Sequence, residues 1–88
     1  MTMQITIRLF GAFRQFQQED TLALDCPHAT TIDDVRNALD AHARAHWREE
    51  ALALLRVSAF ATDAELLRRG SALPADGRLA IIPPVSGG

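Results

Sequence analysis

Leu79-Ala80-Ile81-Ile82-Pro83-Pro84-Val85-Ser86-Gly87-Gly88, at the C-terminus, decides how the remaining residues are read. Four apolar residues in a row have the length and character of a buried strand. Pro83 and Pro84 end it, because neither has an N–H to give to a sheet ladder. Both prolines fix φ and hold an extended, polyproline-like exit, so the segment beyond them projects from the strand. Val85 to Gly88 extend about 13–14 Å, at about 3.3–3.6 Å per residue, enough to thread into the active site of a neighbouring protein. Gly87 and Gly88 carry no Cβ, so a narrow channel can close around them and leave the terminal carboxylate as the reachable reactive group. The expected organisation is a folded domain over 1–82 and an extended Gly-Gly tail over 83–88. Such a chain acts as a carrier that presents its end to other proteins.

Upstream of that strand, Pro74-Ala75-Asp76-Gly77 is a strong turn signal and Gly70-Ser71 a break. Residues 64–69 are expected as a short strand or turn, and 56–62 as extended chain stopped at Thr62-Asp63. Ala51 to Leu55 is compatible with a helical turn or with the approach to a strand. At the other end, Met3, Ile5, Ile7 and Leu9 alternate with Gln4, Thr6, Arg8 and Phe10, which predicts a half-buried strand. Gly11 and the polar stretch 14–20 form a connection to a second alternating run, Thr21-Leu22-Ala23-Leu24-Asp25, as in an antiparallel hairpin.

Thr31 and Asp34 have capping-box spacing, and Asp33-Asp34 suits the positive end of a helix dipole. Ile32, Val35, Leu39 and Ala43 then follow helical spacing, which predicts an amphipathic helix ending near His46 or Trp47. Strand, strand, helix, strand, short strand, strand is an α+β order. It is the plan of a ubiquitin-like β-grasp roll: a mixed sheet of four to five strands, one main helix across it, and an extended C-terminal tail.

A chain of 88 residues is one domain that buries only about 60–65% of its unfolded surface, too little for a deep private active site. The net charge of −2 is made of interspersed charges without a basic block, which argues against a nucleic-acid partner. No apolar run approaches the roughly 20 residues that span a bilayer, and no secretory signal opens the sequence, so a cytoplasmic location is expected. One cysteine, Cys26, allows neither an internal disulfide nor a four-cysteine metal site. All nine basic residues are arginine. With no lysine, the chain has no side-chain primary amine to attack an activated carboxyl group of its own.

The last eight residues, Ile81-Ile82-Pro83-Pro84-Val85-Ser86-Gly87-Gly88, with support from Leu9-Phe10-Gly11-Ala12 and Thr31-Ile32, resemble the small, sulfur-carrying subunit of molybdopterin synthase and, more broadly, the ThiS-like sulfur carriers. The resemblance implies that Gly88 passes from carboxylate to acyl-adenylate to thiocarboxylate, with Pro83, Pro84, Val85, Ser86 and Gly87 threading it into partner active sites. It implies three partners: an ATP-dependent activating enzyme, a sulfur donor enzyme and the large synthase subunit. ATP and Mg²⁺ are used by the activating enzyme, and this chain is expected to bind no cofactor itself. Thiamine, cysteine or a sulfur-containing secondary metabolite are alternative destinations for the sulfur. A protein modifier or a ubiquitin-like binding module is the alternative in kind.

Ile82 points away from Leu79 and Ile81 on the last strand, beside the tail's exit, and is expected to form an apolar docking patch with Phe60 or Phe10. Cys26 lies between a strand and Pro27 with nothing nearby to activate a thiol. His42 and His46 share a helix side but are too few for a structural metal site, and none is expected. Arg68-Arg69 before Gly70 is read as solvated.

Overall fold

The structure, a computed structural model, describes residues 4–68 and 70–84. Five strands form one mixed sheet in the order β2-β1-β5-β3-β4: β1 (Gln4–Leu9), β2 (Thr21–Asp25), β3 (Ala59–Ala61), β4 (Leu66–Leu67) and β5 (Arg78–Ile82). Strict alternation makes β1 a strand with one wet face, since Ile5, Ile7 and Leu9 are buried while Gln4, Thr6 and Arg8 are exposed. It pairs antiparallel with β2 on one side, as expected of the hairpin, and parallel with β5 on the other, Leu9 facing Ile81. β5 in turn pairs antiparallel with β3, so the strand that leads into the tail is held by ladders on both sides.

Helix α1 (Ile32–His46) buries Ile32, Val35, Leu39 and Ala43. Together with Ile5, Ile7, Leu9, Leu24, Phe60, Leu79 and Ile81, the first three of these form a single core. The helix starts where the spacing predicts. One carboxylate oxygen of Asp34 accepts the backbone N–H of Thr30 at 2.9 Å and of Thr31 at 3.1 Å, and the hydroxyls of both threonines at 3.2 and 3.3 Å. These bonds, the Thr30 amide first and the Thr31 amide next, hold the Asp34 carboxyl below its ordinary pKa. The helix start is also tied down by a bond from the Ile32 N–H to the Ser71 carbonyl at 2.9 Å.

Two segments depart from the sequence reading. The stretch 49–56 is a second helix, α2 (Glu49–Arg56), so the "one main helix" has a shorter companion, and the extended segment expected over 56–62 is confined to Ala59–Ala61. Ala51 and Leu55, four apart, are its buried positions, and Glu49-Glu50 and Arg56 complement its dipole. Arg36 of α1 locks the end of α2, donating to the Leu55 carbonyl at 2.6 Å and the Ser58 carbonyl at 3.0 Å while its guanidinium lies 5.1 Å from the Phe60 ring centroid. The connection after β1 is a 3-10 turn over Gly11–Gln15 that drives Phe13 fully into the core. Phe16 and Trp47 cap Phe13 from outside, their rings stacked at 5.5 Å.

The turn before β5 closes as expected, the Gly77 N–H meeting the Pro74 carbonyl at 3.0 Å. Gly77 has φ +67, and a Cβ there would stand 2.9 Å from the Gln4 carbonyl oxygen. That left-handed geometry and close approach leave room only for glycine.

Candidate functional site

β5 delivers the chain to its exit in the middle of the sheet. Leu79 and Ile81 face the core, and Arg78 and Ile82 are exposed on the face that no helix covers. Ile82, 37% exposed, is paired with Ala59, and strand pairing stops there because Pro83 has no N–H. Phe10, 39% exposed, continues the extended chain of β1 on the same open face. The Arg8 guanidinium lies 5.4 Å from the centroid of its ring. Since Leu9 faces Ile81 in the parallel register, Phe10 and Ile82 sit at the same level, one position further along. The structure therefore places two of the three expected docking residues together beside the exit.

The third, Phe60, is corrected. It is fully buried, paired with Ile81 on the core side of the sheet, and covered by Arg36. Its strand phase puts Ala59 and Ala61, not Phe60, on the open face. An apolar residue that the sequence reading passed over, Leu66, takes part instead: it pairs with Ala61, shares its face and is 68% exposed. Along the same face Thr6, Arg8, Thr21, Ala61, Asp63, Asp76, Arg78 and Ala80 line a broad, shallow depression. This surface, with apolar residues at one end and arginines along it, suits a flat protein partner better than a small molecule.

The other candidates fall away from the chemistry. Cys26 is buried, and burial, then the charges of Asp25 and Asp34, push its thiol pKa up, which suppresses the nucleophilic thiolate. His42 and His46 lie ring against ring at 4.7 Å at the end of α1, with His42 pushed down by burial and then by His46. Among the described residues no three His, Cys, Asp or Glu side chains converge as a metal site. Arg68 is exposed, as expected of a solvated arginine, and Arg69 lies outside the described residues. Pro83 is half-buried and Pro84 exposed, whereas Val85, Ser86, Gly87 and Gly88 lie outside the described residues. Among the described residues no helix is long and apolar enough to cross a membrane.

The exit has one feature that local sequence does not announce. Where β1 and β5 would continue their parallel pairing, Gly11 turns away at φ +57, and an added Cβ would stand 2.7 Å from Cγ of Pro83.

The fold as a whole has a counterpart among solved structures. The chain is similar to SAMP1 from Haloferax volcanii, with a TM-score of 0.67 and 25% identity over 97% of this chain and 99% of that one. No curated protein matches it. The model of the ThiS family matches residues 7–88, from the middle of β1 to Gly88, and the chain belongs to that family, in the role of a sulfur carrier or modifier on a β-grasp fold.

Proposed function

We propose that the chain carries sulfur as a thiocarboxylate on Gly88 and donates it in the assembly of molybdopterin. The observation that carries this reading is the family match running through Gly87-Gly88, on a fold whose doubly paired strand β5 immediately precedes Pro83-Pro84. A carboxylate is a poor electrophile, so a partner enzyme first couples it to ATP with Mg²⁺, forming an acyl-adenylate and releasing pyrophosphate. Hydrosulfide supplied by a donor enzyme then adds to the acyl carbon and AMP leaves, so that a C–S bond replaces the C–O bond to phosphate and the end becomes a thiocarboxylate. The terminal sulfur is softer than oxygen and ionised near neutral pH, and attacks the pterin precursor inside the large synthase subunit.

The activating enzyme and the large synthase subunit each need a surface to hold while the tail is inserted, and the open face around Phe10, Ile82 and Leu66 is available for it. The absence of lysine removes side-chain amines of the chain itself as competitors for the activated end.

The deciding experiment supplies the sulfur-loaded chain to a molybdopterin synthase large subunit and its sulfur-free pterin precursor. Formation of molybdopterin, with return of the chain to its carboxylate mass, is expected. Sulfur transfer only to a thiazole-forming enzyme would assign the chain to thiamine synthesis, and adducts on lysines of other proteins would assign it as a modifier.

A further inference from the structure

We propose that Gly11 is a positioning residue for the tail: its bare Cα is the seat on which the Pro83 ring rests, and that contact sets the direction in which the chain leaves β5. The parallel register carries Leu9 against Ile81, so two residues later Gly11 and Pro83 stand side by side. A Cβ at position 11 would lie 2.7 Å from Cγ and 3.5 Å from Cδ of that ring. Carbon atoms do not approach to 2.7 Å, so one of the two segments would have to give.

The two sides are not equally free to move. Gly11 is held on one side by the β1 ladders and on the other by Phe13, which is fully buried two residues later and packed edge-on to Phe16 at 6.2 Å. The Phe13 N–H also bonds back to the Phe10 carbonyl at 3.2 Å. Pro83 lies one residue beyond the last paired residue of β5, Ile82, and belongs to no described strand ladder. Pro83 therefore yields, and because its φ is fixed by its ring and its ψ is restricted by Pro84 after it, the displacement is passed on to Pro84. The glycine serves the fold through its left-handed φ of +57 and serves the exit through its missing side chain.

The directional claim stands on this geometry alone, and its consequence for activation rests on the carrier reading. The test compares the isotope-labelled full chain with Gly11→Asn, Pro83→Ala and the double variant. Asparagine tolerates left-handed backbone better than other residues with a side chain, so Gly11→Asn keeps the turn and adds the clashing Cβ. The amide resonances of Ile82 and Val85, which bracket the two prolines, should shift in Gly11→Asn while those of β2 and α1 hold. In the Pro83→Ala background the same substitution should move them by less than about half as much, the mark of a coupled pair.

With an adenylating enzyme that activates sulfur carriers, Gly11→Asn should lower kcat for ATP–pyrophosphate exchange by about tenfold or more relative to the wild-type chain, the cost of a misdirected reactive group. KM should change by less than about threefold, since the side chains of Phe10, Ile82 and Leu66 that form the docking face are all retained.

Unmoved Ile82 and Val85 resonances, equal displacements in both backgrounds, or shifts spread through β2 and α1 would each overturn the seat. Exchange at the wild-type rate despite displaced resonances would overturn its role in positioning. Absence of exchange with the wild-type chain would count against the carrier reading alone and leave the resonances to decide the seat.

Discussion

The two ends of the parallel β1–β5 pair each carry a left-handed glycine, and the two are constrained by different things. Gly77, at the start of β5, faces a backbone carbonyl, that of Gln4, with which no side chain can share space. Gly11, at the end of β1, faces a proline ring at the mouth of the tail. Backbone in a ladder cannot move without breaking hydrogen bonds, whereas a ring beyond the last ladder bond can. One end of the pair therefore closes the fold, and the other frees a chain segment from it while fixing where that segment starts.

The largest contrast is expected from removing the chemistry at the free end. Deleting Gly87-Gly88 should abolish sulfur loading altogether and leave the thermal midpoint within about 1 °C, because every described strand and core residue is retained. A fall of several degrees, measured by circular dichroism, would break the division between a structural end and a functional end. Gly77→Ala should cost about 2–3 kcal/mol in urea unfolding, combining a left-handed alanine with a backbone clash. A cost at Gly77 no larger than that of Gly11→Ala would erase the distinction between the two glycines.

Ile82→Ser should raise KM for the activating enzyme by about tenfold, the scale of a lost apolar anchor, with little change in stability. A change in kcat alone would place Ile82 with the exit and not with docking.

The smallest effect is expected at the start of α1, away from either end of the pair. The Asp34 carboxyl is held low by the Thr30 and Thr31 amides, so its stabilisation is complete above the unfolded carboxyl pKa of about 4 and is lost as pH falls through the folded value. Urea titrations of the wild type and Asp34→Asn should therefore run apart at pH 7 and converge at acid pH. A constant gap would contradict the capping role.

What sequence could show depended on whether a pattern was local. The alternation of Ile5, Ile7 and Leu9 and the helical spacing of Ile32, Val35, Leu39 and Ala43 each repeat often enough to define a face, and both elements formed where expected. Helix α2 was ambiguous because Ala51 to Leu55 is apolar throughout, and a continuous apolar run has no phase. Its acidic first turn and Arg56 were the available signal. Phe13 was missed because a single apolar residue in a polar connection sets no period.

For the candidate site, Ile82 could be assigned to the open face from β5 alone. Phe60 could not, because β3 has only three residues and its phase comes from pairing with β5. The Gly11–Pro83 contact joins positions far apart in sequence through a parallel register, which no neighbouring residue encodes.

Acceptance of sulfur by Gly88 is measured directly by the intact mass of the chain. After incubation with its activating enzyme, ATP, Mg²⁺ and a sulfur donor, the chain should gain about 16 Da, as one oxygen is replaced by sulfur, with the gain confined to a C-terminal fragment containing Gly88. An unchanged mass with an enzyme shown to form the adenylate, or a gain located elsewhere in the chain, would contradict it.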